Sequence, residues 1–444
     1  MKKTYKNKRY IYDSLYGVIY LPDFIWDIIT SPELQRLREV RLCNINSLCL
    51  TGGANINRYE HAIGTVYLAQ ECLNSWPLLN PISIKEQKNF LLAALLHDVT
   101  SASFGHSIEY IESKDGFEHE RAFEYAIIGE KGASYLYKAA ILEPIFFGMP
   151  RELLSKTAEN DLRKIGEIIS GRGRFGPLIN STIDLDNIDN VFRLGYHIGI
   201  MRSGEIPVKL AQSLYIENDK LITRKEAIPL IENWHKVRKK LYLLLLLNPE
   251  EFSGKCMLSE AIEFAKIKAT QPFKWYHVDY EVLEMLSKIS SESSIITSRL
   301  MKGDLYGCVG IFSTRNTNKY EIFMDTSKKR ELEDNLTRKI RLKFSPRFKS
   351  AMVALHPIID VNKTERQVCV HTDDGKVFQI GKSSSQLLIG IFFKNVDLSM
   401  NKIWNLPADV ILKLRQEFFI YLSDILSDPN LQEVELYDEI KKFE

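Results

Sequence analysis

His61, the adjacent pair His97 and Asp98, and Asp186 are the residues of this chain whose types and order best suit a divalent cation. Imidazole nitrogens combined with carboxylate oxygens fit a borderline-to-hard ion: Mn, Mg, Fe, Ni or Zn. Each residue has a telling context. His61 closes Arg58-Tyr59-Glu60-His61, ahead of Ala62-Ile63-Gly64. His97-Asp98 ends the apolar run from Phe90 to Leu96. Asp186 sits in Asp184-Leu185-Asp186-Asn187-Ile188-Asp189. A polar pair at the tip of an apolar rod is expensive to bury without compensation, and a metal ion is one compensation. A His-Asp dipeptide by itself says little; the ordered set carries the signal. The competing reading is four unrelated residues facing water.

Helices must bring these groups together, because facing helices of a bundle can project ligands into one core. Ser31 and Pro32 open a helix with a Leu34, Leu37, Val40 stripe. Thr51–Asn55 forms a loop, and Arg58–Gln70 a helix with His61 in its first turns. Pro77–Pro81 breaks the chain before the central apolar helix, and Val99–Gly105 is a small, polar loop after it. Another helix runs from Phe117 to about Ile128. Further helices are predicted over 187–202, 225–247 and 259–268, with Asp184 a cap or supporting group. From about 271 the pattern changes. Tyr306–Thr314, Lys319–Met324 and Leu387–Phe393 predict strands, and Arg366–His371 with Lys376–Ile380 a hairpin around Asp373-Asp374-Gly375. Thr326–Ile340 and Ala408–Leu426 predict helices. The expectation is a mainly α fold: a helical bundle over residues 1–270 and an α+β region over 271–444.

These motifs resemble the HD-domain metal-dependent phosphohydrolases, in particular the branch of the dGTP triphosphohydrolases and the sterile-alpha-motif HD-domain dNTPase. Besides the four residues above, the resemblance rests on Ile11-Tyr12-Asp13 with Tyr16-Gly17, on Ser31-Pro32-Glu33-Leu34-Gln35-Arg36-Leu37-Arg38, on Asn57-Arg58-Tyr59-Glu60-His61 and on Tyr196-His197-Ile198-Gly199-Ile200. It implies an HD-domain helical bundle in which His61, His97, Asp98 and Asp186 ligate one divalent metal ion. It also implies His119 and Glu109 as a proton-handling dyad, Glu109 standing where the branch has Asp. Arg58 and His106 would face the phosphates, and Arg193 and Tyr242 would lie on the substrate side of the pocket. Asp98 is followed by Ser101 where the family often has His. Asn190, Leu194 and Leu42 replace the Tyr, Asp and Gln that help hold sugar and phosphate. The metal set is thus complete and the sugar-recognition set altered.

Bulk properties exclude several classes. The 59 basic and 57 acidic residues leave a net charge of +2, so no strong field points to nucleic acid or membrane. Six cysteines without a CxxC spacing fit reduced thiols and a cytoplasmic protein. The basic N-terminus lacks an apolar stretch behind it, and Leu241–Leu247 is too short to span a bilayer. The reading is a phosphohydrolase acting on a nucleotide, a (deoxy)nucleoside triphosphate first of all, in a homo-oligomer. Two alternatives stand beside it. One is an HD-type phosphodiesterase or nuclease on DNA or RNA, using Gly171–Pro177, Lys328-Lys329-Arg330 and 338–343 for phosphates. The other is a nucleotide-sensing module whose metal site is structural.

Overall fold

The computed structural model describes residues 9–43, 55–105, 123, 159–268 and 276–441. The bundle that carries the site begins with α1, Arg58–Asn74. Asn57 caps it by accepting the Glu60 amide at 2.8 Å, which places His61 in the first turn. Helix α2, Ile84–Leu96, opens with a capping box in which Ser83 accepts the Glu86 amide and the Glu86 carboxylate returns to the Ser83 amide. Its residues Phe90 to Leu96 are all buried, so the helix is anchored along its C-terminal half and delivers His97 at its end. Helix α3 is Glu159–Ile169, packed on α2. Helix α4, Leu185–His197, is capped by Asp184, which takes the Asn187 amide at 2.7 Å. Asp184 is therefore a cap. Helices α5, Ile228–Leu247, and α6, Pro249–Lys268, complete the frame.

The strands were less legible than the helices. A short antiparallel hairpin, β1 Ile11–Asp13 and β2 Gly17–Ile19, precedes the bundle. Strands β3, Leu214–Glu217, and β4, Lys220–Thr223, form a second hairpin that the sequence reading did not predict. Strand β5 is Gly307–Thr314. The segment Lys319–Met324, expected as a strand, is instead a 3-10 turn over Thr317–Tyr320 running into a helix over Glu321–Met324. Tyr320 and Phe323 are buried three residues apart, which is helical rather than alternating spacing. Helix α7 spans Thr326–Lys343. Strand β6, Val353–Val361, was not predicted because Pro357 interrupts it; it is an edge strand, where a missing N–H is tolerated. Then follow β7 Val368–Thr372, β8 Val377–Ile380, β9 Ser385–Phe393, α8 Ala408–Leu426 and β10 Gln432–Glu433.

Two four-stranded sheets result, ordered β10-β5-β9-β6 and β3-β4-β7-β8. The first backs a hydrophobic cluster with α7 and α8. The second joins the two halves of the chain, since β4 pairs in parallel with β7. This pairing fixes where the β6–β7 connection, residues 362–367, must lie. A large core runs through the bundle and on to Leu388 and Met400. Leu95→Ala in α2 is expected to destabilise the fold by about 2–5 kcal/mol and Ser83→Ala by about 1 kcal/mol. Urea denaturation midpoints check both.

Candidate metal centre

Helices α1, α2 and α4 bring three donor atoms within contact of one another. His61 Nε2 lies 3.2 Å from His97 Nε2 and 2.9 Å from Asp186 Oδ1, and His97 Nε2 lies 3.6 Å from Asp186 Oδ1. Among the described residues, these three form a group able to hold a metal ion. Asp98 Oδ2 stands 3.9 Å and 3.8 Å from the two imidazole nitrogens. Its Oδ1 is held by Arg58 Nη1 at 2.7 Å and by the Ser101 hydroxyl at 2.8 Å.

The donor set fits a divalent ion. Ligand atoms about 2.0–2.2 Å from a common centre lie roughly 3 Å from one another, as these do. Each imidazole also has its other nitrogen tied down, the arrangement that fixes a ligating histidine. His97 Nδ1 donates to the Ala94 carbonyl at 2.9 Å. His61 Nδ1 lies 2.7 Å from Asp189 Oδ2. Burial opposes protonation of His61, but hydrogen bonds and charge from Asp186 and Asp189 outweigh it and push its pKa up to about 10. The same imidazoles, working against burial, hold Asp186 well below the ordinary carboxylate range.

Arg193 does not reach the substrate side. It is fully buried behind His61, donating to Asp189 at 2.9 and 3.0 Å, to Asp13 at 2.9 Å and to Glu60 at 2.8 Å. The Tyr16 hydroxyl donates to Asp189 Oδ1 at 2.7 Å. The β1–β2 hairpin thus braces the ligand helix through a buried network. Sequence reasoning missed Asp189, Asp13 and Tyr16 as positioning residues. The available signal was Asp189 one helical turn after Asp186. Gly64 permits this packing: a Cβ there would sit 2.0 Å from Asp189 Oδ1 and 2.1 Å from Arg193 Nη2.

A cleft of about 390 Å³ opens beside the cluster, bordered by Arg58, His61, Asp98 and Asp186. Tyr242 lines it, its ring 4.4 Å below the Arg238 guanidinium. Asn190, Leu194 and Leu42 line it as well. His106, Glu109 and His119 lie outside the described residues. The stretches singled out for nucleic acid do not border this cleft: Arg174 turns to Glu86 and Asn80, Lys329 to Glu263 and Lys343 to Glu417.

A family model described as "HD domain" matches residues 58–179. Residues 58–179 therefore carry the likeness to the HD domain. An uncharacterized Bacillus subtilis protein, YwfO, is 24% identical over 57% of this chain and 55% of its own. A Dictyostelium discoideum protein named "Deoxynucleoside triphosphate triphosphohydrolase SAMHD1 homolog" is 24% identical over 76% of this chain and 64% of its own. The chain thus spans less than two thirds of the length of these two curated relatives. The fold is similar to the crystal structure of a Bacteroides thetaiotaomicron phosphohydrolase, with a TM-score of 0.60 at 16% identity over 88% of this chain and 100% of that one. A hypothetical Aquifex aeolicus protein gives a TM-score of 0.62 at 18% identity over 93% of this chain and 100% of that one. Among the described residues, no helix is long and apolar enough to cross a membrane.

Two outcomes are expected of this site. Asp189→Asn or Gly64→Ala weakens divalent-metal affinity about 10–100-fold by loosening His61, measured by competition with a fluorescent chelator. With metal withheld, His61 stabilises the fold in full below its unfolded value of about 6.5. That contribution is lost as the pH rises toward the folded value of about 10. The melting temperature of chelator-treated protein therefore falls from neutral pH upward, and His61→Gln flattens that fall.

Proposed function

We propose that this protein is a metal-dependent phosphohydrolase acting on a nucleotide, with a (deoxy)nucleoside triphosphate as the favoured substrate. The observation that carries the reading is the meeting of His61, His97 and Asp186 donor atoms beside a cleft, lined by His61 and Asp186, that is large enough for a small ligand. The name of the Dictyostelium relative, a deoxynucleoside triphosphate triphosphohydrolase homolog, supports the substrate class. An accessible cleft beside the cluster also argues against a closed, purely structural metal site. Nor do the basic stretches converge on it, as a nuclease reading would require.

His61, His97 and Asp186, with Asp98 Oδ2 facing both imidazoles, would hold the ion. A bound divalent ion supplies Lewis acidity toward a phosphoryl oxygen and an acidified water. The chain's own groups do the rest. Arg58, fixed by Asp98 and Ser101, borders the cleft with a permanent positive charge. It offsets charge that builds on the phosphoryl oxygens as the bond to the leaving oxygen breaks. Asp189 holds the His61 ring in orientation throughout. In this reading His119 and Glu109 move the proton to the leaving oxygen, and His106 contacts a phosphate. Tyr242 flanks the substrate, and the 271–444 region closes the cleft. The reading includes a cytoplasmic location and a homo-oligomer, in keeping with the free cysteines Cys43, Cys72, Cys256, Cys308 and Cys369.

Hydrolysis of a nucleotide panel with added Mn²⁺ tests this, with phosphate, pyrophosphate and triphosphate products separated. The expected result is triphosphate release that falls roughly a thousandfold in His97→Ala and Asp98→Ala. Release of orthophosphate would move the scissile bond, and inactivity on every nucleotide with every metal would refute the enzyme.

A further inference from the structure

The cleft lining also carries cations that the metal cluster does not use. Lys255 of α6 and Lys363 and Arg366 of the β6–β7 connection border the same cavity as His61 and Asp186. Lys255 is 8% exposed, and its Nζ has one acceptor, the Leu245 carbonyl. Among the described residues, no carboxylate forms an ion pair with Lys255 or Lys363. The acids nearby are Glu251, which shares the cleft wall, and Asp360. Asp360 is occupied by the Lys363 and Thr364 amides and by the Thr364 and Gln386 side chains.

Like charges therefore share one wall of the cleft, Lys255 buried and Lys363 and Arg366 partly exposed. Burial pulls the Lys255 ammonium down to about 8, with Glu251 opposing and Lys363 adding to the effect. Burial also lowers Lys363, with Asp360 opposing and Arg238 adding. Arg238 contributes its charge while donating to the Lys363 and Asn362 carbonyls, the latter at 3.0 Å. The connection is thus held in place by the cation beneath it. Arg366 is fixed too: its Nη1 donates to Asn187 Oδ1 at 3.1 Å and to the Thr182 carbonyl at 3.3 Å. Its Nη2 and Nε have no acceptor among the described residues. Cations that line one cleft wall, lose hydration by burial and form no ion pair with a carboxylate are stabilised when an anion joins them. A polyphosphate offers several oxygens to several such donors at once.

We propose that Lys255, Lys363 and Arg366 form an anion subsite for the phosphates remote from the scissile bond, so that the chain's second half selects nucleotides carrying a polyphosphate. The assignment rests on the hydrolase reading for which bond is broken, but the subsite itself can be tested without turnover. Calorimetry on the chelator-treated full chain, with inorganic tripolyphosphate and orthophosphate as probes, compares wild type with Lys255→Met, Lys363→Met and Arg366→Gln. Tripolyphosphate is expected to bind at least about tenfold more tightly than orthophosphate, and each substitution to weaken it by about tenfold or more. Mn²⁺ affinity should stay unchanged in all three. Lys255→Met should melt no lower than wild type, because it removes a buried, unpaired charge. Tripolyphosphate binding no tighter than orthophosphate, or equally tight in the variants, overturns the subsite. Lys363→Met and Arg366→Gln change partly exposed side chains and decide the matter even where Lys255→Met fails to fold. Tripolyphosphate binding that behaves as expected in a protein inactive on every nucleotide would refute the enzyme and leave the subsite standing.

Discussion

A ligating imidazole keeps one orientation and tautomer when its other nitrogen is tied down, and a buried network reaching from α1 to α4 and the first hairpin does this for His61. Asp189 holds Nδ1, Arg193 grips both Asp189 oxygens, and Asp13, Glu60 and Tyr16 surround that pair. The network is buried, so every member depends on the others to offset the loss of water. It also explains two otherwise separate features. Helix α1 carries glycine at position 64 because the Asp189–Arg193 pair occupies the space of a side chain. The small β1–β2 hairpin is held against α4 because Asp13 and Tyr16 reach Arg193 and Asp189 there.

The other half of the chain acts on the same cleft from outside. β4 pairs with β7, and the β6–β7 connection contributes Asn362, Lys363 and Arg366 to the cleft lining. Arg238 fastens its carbonyls, and the His235 ring meets the Arg366 carbonyl at 2.8 Å. The cleft is therefore built by both halves, with donors for a cation and cations for an anion in one lining. Leu42 and Leu194 line it as well, where sequence resemblance leads one to expect polar sugar contacts.

Local chemistry made much of this readable. The capping box and apolar run of α2 fix a helix and its end from adjacent residues, so His97-Asp98 could be placed from sequence. Helix Ala408–Leu426 and the buried strand through Leu387–Phe393 were legible for the same reason. Arg193 was not, although helical periodicity puts it on the same face as Asp186. Seven residues at 1.5 Å each carry it about 10 Å deeper, under the β1–β2 hairpin. Asp189 takes its role from a histidine on another helix. Lys363 and Arg366 carry no local mark, because their place at the cleft follows from a strand pairing between distant segments.

The account stands or falls on where a divalent ion sits. An anomalous difference map from crystals of the full chain soaked in Mn²⁺ tests this directly. A single strong peak bounded by His61, His97, Asp98 and Asp186 is the predicted result. No peak there, or a peak held by other residues, would contradict it.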